Sequence, residues 1–366
     1  AGSDLGGSAT AELGGARPKL AAKLHGRLLD LDRLLPAEDG APASAAKDAG
    51  DAGPLFPDTP LPLDGLRQAD GRLELAIDEL RVKGLAVHGL NAVAELADGR
   101  LRLDPLAASL PGGTLTASLG LDAAGTPPAL ELTAAGRNLA LGELTAALAG
   151  SPLLAAAADL KLSLQSEGAS PKVLAEQLGG RLTFLTGEGR LRIDLLDRIA
   201  QGLKQGLGTA LGLTGDVVPL HCLALDTPIQ RGVAAPDLVA TLPLALLVGT
   251  GSVDLGRERL DLTLSPRANL AGVQLGVPVT LKGPLRQPAV GVDPAAAARD
   301  VVSALGGLVP KEIAGELGLG AEASDNPCLK AAGGILPEGA AKALGSSKEQ
   351  LEKVGKGLLQ NLLKGP

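Results

Sequence analysis

The chain contains no Met, Trp or Tyr and only two Phe, Phe56 and Phe184. That absence removes stacking platforms for bases, aromatic cages for cations and the Trp/Tyr belt that anchors membrane spans. An excess of positive charge is missing too. With 34 Lys+Arg against 41 Asp+Glu the net charge is −7, so nothing draws the chain to phosphate backbones and no nucleic acid is expected as a partner. Long hydrophobic runs are absent as well. The strongest, residues 239–248, contains Pro243 and falls short of the roughly 18–20 residues that span a bilayer. Residues 1–13 have neither the basic nor the apolar region of a signal peptide, and Ala1 is not an initiator, so any membrane anchor is expected upstream.

Groups that do chemistry are scarce. The three His, His25, His88 and His221, have no metal-ligand spacing with each other or with the two Cys, Cys222 and Cys328. His25 and His88 fall inside strand patterns, and His221 beside Cys222 points to the opposite side of a strand from its neighbour. The two cysteines are compatible with one disulfide in an oxidising compartment or with two buried thiols. Gly249-Thr250-Gly251-Ser252-Val253-Asp254 breaks the dinucleotide fingerprint at its third glycine and leads into a strand rather than a helix. No nucleophile-elbow serine occurs. Neither an enzyme nor a metal or cofactor site is expected.

What the chain has is alternation. Leu73 and Leu75, Leu101 and Leu103, Leu115 and Leu119, Leu130 and Leu132 each stand two or four residues apart, and the pattern continues with Leu160, Leu162 and Leu164. It resumes at Leu182 with Phe184 and again at Leu260 with Leu262. Polar residues stand between them, and a period of two with one apolar and one polar side defines antiparallel strands with one wet face. Gly-Arg-Leu recurs at Gly26, Gly71, Gly99, Gly180 and Gly189, each read as a turn residue tolerating positive φ that opens a strand. The expected fold is mainly β (α+β), a long antiparallel sheet curved into an open groove with a few amphipathic helices at its ends. A dozen apolar rows exceed what those helices can cover. The sheet therefore either folds on itself as a sandwich or barrel or leaves an open trough that shelters acyl chains.

With 366 residues the chain has room for about two domains. Residues 36–54, rich in Ala, Asp, Gly and Pro without periodicity, read as a flexible linker. Residues 1–35 read as the tail of an upstream β-region or as edge strands, with strand-like pieces at 9–13 and 19–28. Residues 55–293 form the β-groove region. Helices are expected within it at about 170–178, where Ser170 caps and Pro171 takes the first turn, and at about 193–212, where Leu195, Ile199, Leu203 and Leu207 recur every four residues. Residues 294–366 are expected to be helical, ending in a basic amphipathic segment at 348–364.

Several blocks in order resemble the AsmA family: Phe56-Pro57-Asp58-Thr59-Pro60-Leu61, Leu101-Arg102-Leu103-Asp104-Pro105-Leu106, Asn138-Leu139-Ala140-Leu141-Gly142-Glu143-Leu144, and Gly249-Thr250-Gly251-Ser252-Val253-Asp254-Leu255 with Glu258-Arg259-Leu260-Asp261-Leu262. Val279-Thr280-Leu281-Lys282-Gly283-Pro284-Leu285 with Pro288 is similar to the family's closing block. Leu110-Pro111 stands where aromatics are common in the family. The resemblance implies a periplasmic protein of a Gram-negative bacterium anchored in the inner membrane, related to TamB and to bridge-like lipid transfer proteins. It implies a role in outer-membrane biogenesis and outer-membrane protein assembly, with phospholipid or another acyl-chain lipid as ligand and outer-membrane assembly proteins as possible partners. No catalytic residue comes with it. The alternative is a structural or regulatory module that binds another envelope protein and closes its apolar face with its own helices. A periplasmic address also implies pairing of Cys222 with Cys328.

Overall fold

A computed structural model describes residues 3–15, 17–34, 53–194, 205, 215–242, 245–270, 273–275 and 278–292. In chain order the elements are β1 (Gly6–Glu12), β2 (Lys19–Asp30), α1 (Leu31–Leu34), α2 (Asp64–Gln68), β3 (Asp70–Val82), β4 (Leu85–Ala97), β5 (Arg100–Leu110), β6 (Gly113–Asp122) and β7 (Ala129–Ala140). Then follow α3 (Leu141–Ala149), β8 (Leu154–Glu167), α4 (Pro171–Gln177), β9 (Gly179–Arg192), β10 (Val217–Leu220), β11 (Cys222–Gln230), β12 (Val233–Ala234) and β13 (Asp237–Thr241). The last are β14 (Ala245–Asp254), β15 (Arg259–Leu270), β16 (Val273–Leu275), β17 (Val279–Pro284) and β18 (Ala289–Val292).

The fold is mainly β, as the alternation predicts, and spatial neighbours follow chain order. β1 pairs with β2, and each strand from β3 to β9 pairs antiparallel with the next. β9 then pairs with both β10 and β11. β11 passes the sheet through β12 and β13 to β14, and β14 through β15 and β17 to β18. One pairing departs from the antiparallel expectation: β2 runs parallel to β3. Among the described residues β1 pairs only with β2 and β18 only with β17, and no pairing joins the two ends of the sheet.

Two expectations are corrected. Of the Gly-Arg-Leu glycines only Gly99 (φ 76°) sits in a turn. Gly26, Gly71, Gly180 and Gly189 lie inside strands, and close backbone approach explains three of them. A Cβ on Gly26 would stand 2.2 Å from the Asp4 carbonyl oxygen and one on Gly189 2.5 Å from that of Ala155. Gly180 has φ 139°, and a Cβ there would stand 2.0 Å from the Ser163 carbonyl; that region of backbone space belongs to glycine. The second correction is α3, which alternation conceals. Its helix is closed by Gly150 in the left-handed conformation (φ 71°).

The helix expected at 170–178 is α4, with Ser170 Oγ accepting from the Val173 N–H at 3.4 Å and Pro171 in its first turn. Residues 9–13 and 19–28 coincide with β1 and β2 and join the main sheet through β3. Most of the linker at 36–54, most of the helix at 193–212 and all of 294–366 lie outside the described residues.

Candidate functional site: one continuous aliphatic face

Residues paired across neighbouring strands share a face, so the register shows where each expected lining residue falls. One row runs Ala9, Ala22, Leu73, Ala94, Leu103, Leu119, Leu132, Leu164, Gly180. It continues through Ile229, Ala234, Val253, Leu260 and Gly283. A second carries Leu24, Leu75, Ala92, Leu106, Ala117, Ala134, Leu162 and Leu182. A third carries Leu115, Gly136, Leu160, Phe184, Leu225, Leu238, Gly249, Leu264 and Val279. Leu101 pairs with Leu96 and Leu121, Leu121 with Leu130, and Leu262 with Leu281 on the same side. All fifteen expected apolar residues therefore lie on one face. The first row crosses fourteen strands, about 60 Å at the usual ~4.8 Å strand spacing.

β5 keeps this order despite an irregularity. Leu103 and Leu106 are three apart, while their partners Leu119 and Ala117 are two apart. The extra residue at Asp104–Pro105 is a bulge that returns Leu106 to the apolar side.

Exposure divides the face in two. Leu75, Leu101, Leu103, Leu115, Leu119, Leu130, Leu132, Leu160, Leu162 and Leu164 are all half-buried, and Leu73 is exposed. From the start of β8 and the end of β9 onward a compact cluster forms: Leu154, Ile193, Val218, Leu220, Ala240, Leu242, Ala245, Val279 and Leu281 are buried, with Leu260, Leu262 and Leu264 packed against them. Leu260 and Leu262 are half-buried like the others, but they pack against this buried cluster. In that half the opposite face is buried too, by Leu185, Ala224, Val239 and Val248. Two buried polar side chains on the apolar face are satisfied: Ser166 Oγ donates to the Leu174 carbonyl at 2.7 Å and Thr186 Oγ1 accepts from the Leu223 N–H at 2.9 Å.

At the β1 edge the face opens into a cavity of about 470 Å³, lined among others by Ala9, Ala11, Leu20, Ala22, Gly71, Leu73, Leu96 and Leu101. The sequence reading set β1 and β2 aside from the lining, although the period-two series Leu20, Ala22, Leu24 carried the signal.

The other side of the sheet is charged. Lys23 and Arg72 converge on Glu74 at 2.8 and 2.9 Å and hold its carboxyl below the ordinary range, Arg72 also meets Glu95, and Arg100 reaches Asp122 at 2.9 Å. These pairs orient the sheet: a slip of one residue would turn every ion pair onto the apolar side.

Among the described residues no group of three or more His, Cys, Asp or Glu is arranged to hold a metal. His25 and His88 are exposed on strands, and His221 Nδ1 lies 3.8 Å from Glu188. Cys222 is fully buried and is not a free thiol. It is the one cysteine among the described residues, which therefore hold no complete disulfide; Cys328 lies outside them. No described helix is long and apolar enough to cross a membrane.

A single sheet with one aliphatic and one charged face defines a β-sheet scaffold whose distinctive surface is apolar. The model of the AsmA family matches residues 1–239, and the chain belongs to that family. It is similar to AsmA family protein YhjG of Escherichia coli (strain K12), with 27% identity over 329 residues, 84% of this chain and 47% of that protein. The chain thus spans about half the length of the curated relative it matches. No solved structure matches it.

Proposed function

We propose that this chain binds the acyl chains of phospholipid or a similar lipid along its aliphatic face and thereby supports outer-membrane biogenesis, from a periplasmic position held at the inner membrane in the full-length protein. Family membership supports the envelope role. The observation that carries lipid binding is the stretch from β2 to β8, where the apolar rows are continuous and most of their leucines stay partly accessible. Mechanism follows from area. Each buried methylene contributes about 0.8 kcal/mol, so a chain of about 16 carbons gains on the order of 10 kcal/mol before the cost of ordering it. Leu and Ala present a smooth lining, so retention of the tail along it depends on chain length. Contacts with outer-membrane assembly proteins belong to the same proposal.

Native mass spectrometry of protein prepared without detergent tests the reading. Copurified phospholipid is expected, and Leu119→Glu or Leu162→Glu should abolish it while the melting transition survives. Folded native protein that neither carries nor takes up lipid would sink the proposal. Pairing of Cys222 with Cys328 is proposed alongside it, and the same intact-mass measurement after alkylation under denaturing conditions reads it. No added label is expected before reduction and two afterwards.

A further inference from the structure

We propose that the β1–β5 corner of the sheet is a seat for a zwitterionic phospholipid, one whose phosphodiester has a neighbouring ammonium; this rests on the reading of the apolar face as a lipid surface. The last apolar row before the strand ends is Ala11, Leu20, Gly71, Leu96 and Leu101, and it floors the 470 Å³ cavity. Gly71 keeps that floor low at its centre, where any other residue would raise a side chain from it.

Charged groups stand where these strands end. Arg17 lies three residues before Leu20, Asp70 is next to Gly71, and Asp98 lies two residues after Leu96. One guanidinium nitrogen of Arg17 donates to Asp98 at 2.8 Å and to Asp70 at 3.4 Å, and the Asp98 N–H donates to Asp70 at 3.0 Å. Arg67 is placed beside them by its Nε bond of 2.7 Å to the Ala123 carbonyl. Arg17, Arg67 and Asp98 together line a second hollow of about 310 Å³. The Asp98 side chain is 76% exposed.

An amphiphile with its tail over Gly71 therefore places its polar end between two guanidiniums and a carboxylate. The planar guanidinium forks match a phosphodiester, and the Asp98 carboxylate matches an ammonium and repels a second anion. Asp64, Asp70 and Asp98 outnumber the two arginines, and Lys19, across from Asp70, is matched by Glu12 on its other side, so the corner has no surplus positive charge with which to favour an anionic lipid. A headgroup with one charge of each sign is the complementary one.

The test is competition. Protein is equilibrated with vesicles containing equal amounts of a phosphoethanolamine and a phosphoglycerol lipid with the same acyl chains, and native mass spectrometry reads the bound species. Several-fold enrichment of the phosphoethanolamine lipid is expected. Asp98→Asn should bring the ratio towards one by admitting the anionic lipid, and Arg67→Gln should lower retention of the phosphoethanolamine lipid, with melting curves confirming the fold of each variant. Equal loading of both lipids by the native protein, or an unchanged ratio in both folded variants, overturns the seat and leaves the lipid face standing. No lipid of either kind on the native protein overturns the lipid face and the seat with it.

Discussion

From β3 to β8 the strands are 10–14 residues long and lie side by side with one face aliphatic and the other charged; from β10 to β18 they are 2–12 residues long and repeatedly broken. The apolar residues alternate in both regions, yet Leu119 remains half-buried between Leu103 and Leu132 whereas Val279 is 0% and Leu281 5% exposed. Alternation therefore fixes which side of a strand is apolar and says nothing about whether anything lies over it. In the second region short strands gather Leu154, Val218, Leu242 and Val279 into one cluster. In the first, long regular strands leave most leucines of the face half-buried, although Ile77, Leu139 and Ala158 are enclosed and α3 reaches β4 and β8. The first region is where the proposed acyl chain would lie, and the second packs against itself.

The sharpest way to break this comparison is truncation in each region. Leu281→Ala should cost about 2–5 kcal/mol, the range for a fully packed leucine whose cavity cannot collapse. Leu119→Ala should cost less than about 1.5 kcal/mol, because part of its surface is already wet. Urea unfolding of the two variants measures both. Equal losses would mean that β6 is as enclosed as β17 and would remove the open face.

Much of this was legible in advance. The leucine spacing placed the fifteen named apolar residues on one side, and Ser170-Pro171 placed α4, because period and capping are local properties. The division into open and closed regions was hidden, since Leu162 and Leu262 both alternate with polar neighbours and differ in whether a buried cluster packs against them. One clue was present. Residues 238–248 are apolar on consecutive positions, Val239 and Val248 on one face against Leu238 and Leu247 on the other, and a run without alternation belongs to a strand buried on both sides. The parallel β2–β3 pair was not legible, because alternation within a strand is the same whichever way its neighbour runs.

A middle-sized effect is expected where the two regions are strapped together. Residues 53–69 cross the strand ends from the β14–β15 turn to β5. Glu258 accepts from the Phe56 N–H at 2.9 Å, the Lys172 N–H donates to the Pro57 carbonyl at 3.2 Å, and Asp58 accepts from Ser170 at 2.9 Å. The backbone N–H groups of Leu55 and Phe56 hold the Glu258 carboxyl below its ordinary value of 4.5. A lowered carboxyl pKa contributes stability that is present above the ordinary value and lost as pH falls through the lowered one. Glu258→Ala should accelerate proteolysis within residues 53–61 at pH 7, and its melting temperature should converge with that of the native protein on acidification below pH 4.5. Equal cleavage rates at pH 7 would show that the other strap bonds suffice.

The smallest expected effect lies within the closed region and has the opposite sign. Asp237 stands directly across from Asp226 in the β11–β13 pair, and Asp226 already receives both Arg181 Nε and Nη2 at 2.7 Å. Burial first, and the Asp226 charge second, push the Asp237 carboxyl above its ordinary 3.8. Native protein therefore holds the Asp237 proton more tightly than unfolded chain does, so the associated stability is complete below pH 3.8 and is lost as pH rises through the raised value. At neutral pH the charged form is a standing cost, which Asp237→Asn removes by replacing an anion with a neutral amide of the same shape. The variant should melt slightly higher than the native protein at pH 7, and the gap should close as the pH falls below 3.8. A lower melting temperature at pH 7 would show that the Asp237 carboxylate makes a favourable contact that outweighs its burial and its repulsion by Asp226.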